Sequence, residues 1–282
     1  MTRMSAADGR PAHLEPETWR FYRDAMAALN AAGAPYLVGG AYAFERYTGI
    51  ERHTKDFDIF CRREDAEGIL DLLRDAVGCR TELTFPHWLG KAYNPGTGDF
   101  VDVIFSSGSG IAVVDEEWFA HRVEAEVLGV PASLCPAEEI VWSKAFIMER
   151  ERYDGNDVAH LLHARAEGLD WTRLMRRFEP HWRVLLSHLV LFGFIYPDRR
   201  ATVPASVMDE LTRRLQAEAA AAPPAIRVCQ GTLLSRAQYL PDVEQWGYQD
   251  ARAEPEIQMT SRDIAHWTKA IGDQNRRRED HR

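Results

Sequence analysis

The chain has 282 residues, 45% hydrophobic and 27% charged, the composition of an ordinary globular protein with room for one large domain or two smaller ones. Its 43 acidic against 34 basic side chains leave a formal net charge of −9 and a pI near 5.6. A protein whose main business is coating duplex DNA needs the opposite field, so tight duplex binding is not expected, while a local basic face stays open.

The opening "MTRMSAADGRPAHLEP" lacks the apolar stretch of a secretory leader, and residues 1–13 are expected to be disordered. "PETWRFYRDAMAALNAAG" (Pro16 to Gly33) has helical periodicity, with proline at its start and glycine at its end. A short apolar strand, "PYLVGG", stops at Gly39 and Gly40. "AYAFERYTG" restarts as a helix closed by Gly49. "KDFDIFC" predicts a second strand, and "REDAEGILDLLRDAVG" an amphipathic helix with acidic residues early, as the helix dipole prefers. "RTELTF" and "GDFVDVIFSS" are further strands, "DEEWFAHRV" a short helix, and "AEVLGVPASLC" a hairpin or edge strand.

From Pro136 the texture becomes helical, through "PAEEIVWSKAFIMERER", "NDVAHLLHARAEG", "DWTRLMRRFEPHWRVLLSHLVLFGFIYP" and "ASVMDELTRRLQAEAAAA". The apolar run from Val184 is too short to span a bilayer and is broken by His188 and Gly193, so it predicts a buried helix and no membrane contact. The expected organisation is a mixed α/β core over 1–135 followed by an all-helical C-terminal domain over 136–282. Cys61, Cys79, Cys135 and Cys229 form no Cys-x-x-Cys pair, as expected of reduced thiols in the cytoplasm.

Chemistry concentrates in three places. Asp56 and Asp58 alternate with Phe57 and Ile59, so both carboxylates point to one face of their strand. Asp102 lies alone inside the apolar "FVDVIF", where an unpaired charge is costly. A divalent cation shared by the three would relieve both problems, and Mg²⁺ takes such hard oxygen donors together with substrate phosphate. Gly39 and Gly40, which lack Cβ atoms, let a backbone turn approach a triphosphate, and the helix that follows presents free N–H groups to anionic oxygens.

Gly-Gly, then Arg-x-Thr-x-Asp-φ-Asp (φ apolar), then φ-Asp-φ resembles the DNA polymerase β-like nucleotidyltransferase superfamily. Within it, "RHTKDFD" is most similar to the AbiEii-type and related bacterial nucleotidyltransferases. The resemblance implies a mixed-sheet α/β fold and transfer of a nucleoside monophosphate from an NTP, using two Mg²⁺ ions or Mn²⁺. It matches Gly39 and Gly40 to the triphosphate turn, Asp56 and Asp58 to the metal pair, and Asp102 to the third carboxylate, which also activates the acceptor hydroxyl. Beyond residue 135 it matches Lys144 and Asp157 to nucleotide contacts.

Other features carry two readings each. Arg52 either reaches a phosphate or ends a surface loop. Lys144 lies in a helix otherwise lined by Ile140, Val141, Ala145 and Ile147, and reaches either solvent or the nucleotide. Asp157, His160 and His163 share helical spacing; a metal site there is disfavoured against a pairing of Asp157 with Lys144. Arg173, Arg176, Arg177 and Arg183, interleaved with Trp171, Phe178 and Trp182, either grip RNA or form the solvated face of an amphipathic helix, the latter favoured. The acceptor stays open among tRNA or other RNA, as for a toxin, a small molecule such as an antibiotic, and a protein hydroxyl. A catalytically silent NTP-binding or antitoxin-like module is the remaining alternative.

Overall fold

The computed structural model describes residues 10–11, 14–52, 54, 56–257 and 259–279. Apart from Arg10 and Pro11, the stretch 1–13 expected to be disordered lies outside the described residues. The chain divides into two units: one runs to Gly108 and resumes at Val113–Pro136, the other comprises Ser109–Ala112 and everything from Ala137.

The first unit follows the order α1 (Pro16–Ala31), β1 (Leu37–Val38), α2 (Gly40–Thr48), β2 (Asp56–Phe60), α3 (Ala66–Val77), β3 (Arg80–Phe85), β4 (Leu89–Tyr93), β5 (Phe100–Ile104), α4 (Glu116–Ala120), β6 (Val123–Val127) and β7 (Val130–Leu134). The seven strands form one mixed sheet in the order β3-β4-β5-β2-β1-β7-β6. β2 runs parallel to β5 and β1 parallel to β7, while β4 is antiparallel to both its neighbours. The hairpin of β6 and β7 turns through Leu128 and Gly129, both with positive φ. Its second strand is interior rather than an edge, because β7 also pairs with β1.

Strand alternation divides the sheet into two faces. Phe57 and Ile59 of β2, Val101 and Val103 of β5 and Ala92 of β4 are all fully buried. On that side Tyr22 of α1 stacks on Phe57 with ring centroids 5.0 Å apart. A Cβ on Gly90 of β4 would come within 2.7 Å of Leu70 of α3, so the missing side chain sets how closely helix and sheet pack. The opposite face carries Asp56, Asp58, Phe60, Lys91, Tyr93, Phe100 and Asp102, all but Asp102 only half-buried.

The second unit is helical but for one short ladder. It contains α5 (Ala137–Ala145), α6 (Gly155–Arg165), α7 (Trp171–Arg177), α8 (Trp182–Ile195), α9 (Ala205–Ala220), β8 (Val228–Cys229), α10 (Leu240–Glu244), β9 (Gln249–Asp250) and α11 (Ser261–Glu279), with β8 and β9 paired in parallel. The long segment from Asp170 breaks at Pro180, which separates α7 from α8. Glu138 and Glu139 of α5 are buried against Arg173 of α7, at 2.7 and 2.8 Å. The buried His188 of α8 donates its Nε2–H to the Ala145 carbonyl at 2.9 Å. Ser109–Ala112 and the last described segments meet in a small core of Leu233, Ala251, Ile257 and Met259, with Ile111 packed against it. Among the described residues no helix is long and apolar enough to cross a membrane.

Candidate active site: an acidic sheet face beside a glycine turn

Parallel pairing of β2 with β5 sets Asp58 directly beside Asp102, with Asp56 two residues earlier on the same face. The three residues offer carboxylate oxygens that all lie within 4.8 Å of one another, close enough that they could share a metal ion. Burial pushes the Asp102 carboxyl up to about 6; Lys91 pulls the other way and the Asp56 charge adds to the rise. Thr54 donates its hydroxyl to the carboxylate and to the backbone carbonyl of Asp56, fixing the strand's entry.

The turn beside this face is built on glycine. Gly39 donates its N–H to the Asp58 carbonyl at 3.0 Å, and a Cβ there would run into the Phe60 ring. Gly40 has φ +52°, and a Cβ on it would run into the Asp58 carboxylate. The two missing side chains thus let the Phe60 ring and the Asp58 carboxylate pack directly against the turn backbone. The first bond inside α2 is Ala43 N–H to the Gly39 carbonyl at 3.1 Å, so the N–H groups of Gly40, Ala41 and Tyr42 precede the helical ladder. Arg52 lies over the Phe44 ring of α2, its guanidinium carbon 4.1 Å from the ring centroid.

One neighbour of the acidic face has no counterpart among the residues singled out from the sequence. Lys91 of β4 stands opposite Asp102 in the ladder and places its ammonium 2.5 Å from that carboxylate. The same ammonium is 3.9 Å from the centre of the Phe100 ring. Its signal in the sequence is faint: a lysine between Gly90 and Ala92, sharing its strand face with Leu89 and Tyr93, ahead of an Asn-Pro-Gly turn.

Lys144 and Asp157, expected from the sequence as nucleotide contacts, both belong to the second unit. They pair with each other there at 2.8 Å, and Lys144 also meets Asp154 at 2.9 Å. Both carboxylates are buried, and the cluster ties α5 to the start of α6. Arg177 lies 3.1 Å from the carboxylate of Glu139, and Arg183 pairs with Glu218.

No protein-family model matches the chain, and no curated protein does. Among solved structures it is similar to an antigenic nucleotidyltransferase-like protein from Paracoccidioides brasiliensis, with 16% identity over 67% of this chain and 93% of that one and a TM-score of 0.44. It is similar too to the lincosamide antibiotic adenylyltransferase LnuA in its lincomycin-bound form, with 15% identity over 53% of this chain and 98% of that one and a TM-score of 0.38. A third is ANT(2")-Ia in complex with adenylyl-2"-tobramycin, with 16% identity over 72% of this chain and 99% of that one and a TM-score of 0.35.

Proposed function

We propose that this chain is a metal-dependent nucleotidyltransferase, moving a nucleoside monophosphate from an NTP to an acceptor hydroxyl with release of pyrophosphate. One observation carries the reading: three carboxylates from two adjacent parallel strands converge within 4.8 Å, beside a glycine turn that opens a helix. Asp56 and Asp58 would hold Mg²⁺ or Mn²⁺, up to two ions when NTP is present, with Asp102 completing the donor set. When bound, the cations would supply positive charge to the triphosphate and to the attacking and leaving oxygens.

The chain's own groups do the rest. The N–H groups of Gly40, Ala41 and Tyr42 take triphosphate oxygens at the positive end of α2, and Arg52 adds a guanidinium to them. Asp102 orients the acceptor hydroxyl and takes its proton as the acceptor oxygen bonds to the α-phosphorus. The bond from that phosphorus to the bridging oxygen breaks, and pyrophosphate leaves with the electron pair. Burial raises the Asp102 carboxyl above the range of an exposed aspartate, and the Lys91 ammonium opposes that rise. The reading gives Lys144 and Asp157 a structural role, because two buried carboxylates already hold that ammonium.

A small-molecule acceptor is favoured over RNA. The net charge is −9, and Arg173, Arg177 and Arg183 of the arginine-aromatic segment are each held by a glutamate. The four cysteines are free and buried, which suits a reducing, cytoplasmic setting. The test is label transfer from each α-labelled NTP, with Mg²⁺ or Mn²⁺, to a small-molecule pool, total RNA and a protein extract in parallel. Label is expected on the small-molecule pool. Asp56→Asn or Asp58→Asn should lower transfer by about 100-fold or more while leaving the melting curve intact. Label on no pool, with no binding of NTP by calorimetry, would leave a silent binding module in its place.

A further inference from the structure

Lys91 is placed by three registers at once. Asp58, Asp102, Lys91 and Glu82 occupy one row across β2, β5, β4 and β3, each opposite the next. The ammonium is confined: the Asp102 carboxylate lies at 2.5 Å, the Phe100 ring centre at 3.9 Å, and the side chain is 17% exposed. Its strand is hydrogen-bonded on both sides, so the backbone cannot retreat without opening two ladders. Asp56, Asp58 and Asp102 bring three negative charges together, while the fourth carboxylate of this face, Glu82, pairs with Arg80 at 3.1 Å. One divalent cation and one ammonium balance those three charges, whereas two divalent cations would set the second one against an ammonium already held by Asp102.

Building on the metal-site reading above, we propose that Lys91 is the built-in counter-cation of Asp102. The nucleotide-free protein then binds a single divalent ion, on Asp56 and Asp58, and a second cation enters only with the charge of an NTP. Lys91 is thus a positioning residue that sets metal stoichiometry and holds the proton-accepting carboxylate in place.

The test is a Mn²⁺ titration of the intact chain without nucleotide, reading free Mn²⁺ by electron paramagnetic resonance, beside Lys91→Met, Lys91→Arg and Asp56→Asn. Melting curves taken without metal check that each variant is folded. The wild type and Lys91→Arg should bind one ion; Lys91→Met should bind two, or one at least tenfold more tightly. Two ions on the nucleotide-free wild type would overturn the proposal without any variant, as would equal count and affinity in wild type and folded Lys91→Met. Binding to none of the proteins, Lys91→Met included, would instead remove the metal-site reading and the proposal with it.

Discussion

Gly40 shows how much of the acidic face depends on a side chain that is absent. Its φ of +52° lies where other residues are strained, and the space a Cβ needs is taken by the Asp58 carboxylate. Gly40→Ala is expected to cost about 1–2 kcal/mol in urea unfolding. It should abolish nucleotidyl transfer more completely than that loss of stability explains, because Asp58 must move. Unchanged activity would show that the turn does not serve the carboxylates. At this scale the sequence was informative where the pattern is local: two aspartates separated by one residue share a face, and an aspartate in an apolar strand calls for a partner. Lys91 was not legible, since nothing local says which residue will stand beside Asp102.

The strand carrying Lys91 explains that failure. "LGKAY" holds a glycine, a lysine and an alanine, all poor β-formers, and passes for part of a loop after "RTELTF". It becomes a strand because β3 and β5 offer it hydrogen bonds on both sides, a non-local cause. The interior place of β7 comes likewise from its distant partner β1. Most helices, by contrast, announce themselves through periodicity and end signals, as α2 does with Gly49 in the left-handed region. The α5–α6 junction yields a prediction of its own. Burial raises the Asp154 carboxyl, but Arg152 and Lys144 together outweigh it and hold it down to about 2. A depressed carboxyl contributes stability above its unfolded value near 4, and that contribution is lost as pH falls from there toward 2. Asp154→Asn should therefore destabilise the chain by roughly 2 kcal/mol at pH 7. The gap to wild type in denaturant midpoint should narrow steadily below pH 4; a constant gap would mean that the pair does not govern it.

For the whole molecule, charge separates the acceptor classes. A chain at −9 in which Arg173, Arg177 and Arg183 are held by glutamates offers few cations to neutralise RNA phosphates. Raising salt from 50 to 200 mM should change transfer by less than about 3-fold, whereas an RNA acceptor held through six to ten phosphates would lose roughly a thousandfold in affinity. The central claim, attack at the α-phosphorus on this acidic face, is tested most directly with an NTP labelled at both the α- and γ-phosphates and supplied with the acceptor pool. The account predicts that the α label joins the acceptor while the γ label leaves in pyrophosphate, and that both events disappear in Asp56→Asn/Asp58→Asn. Transfer of the γ label to the acceptor, its release as orthophosphate, or turnover that survives loss of both aspartates would contradict it.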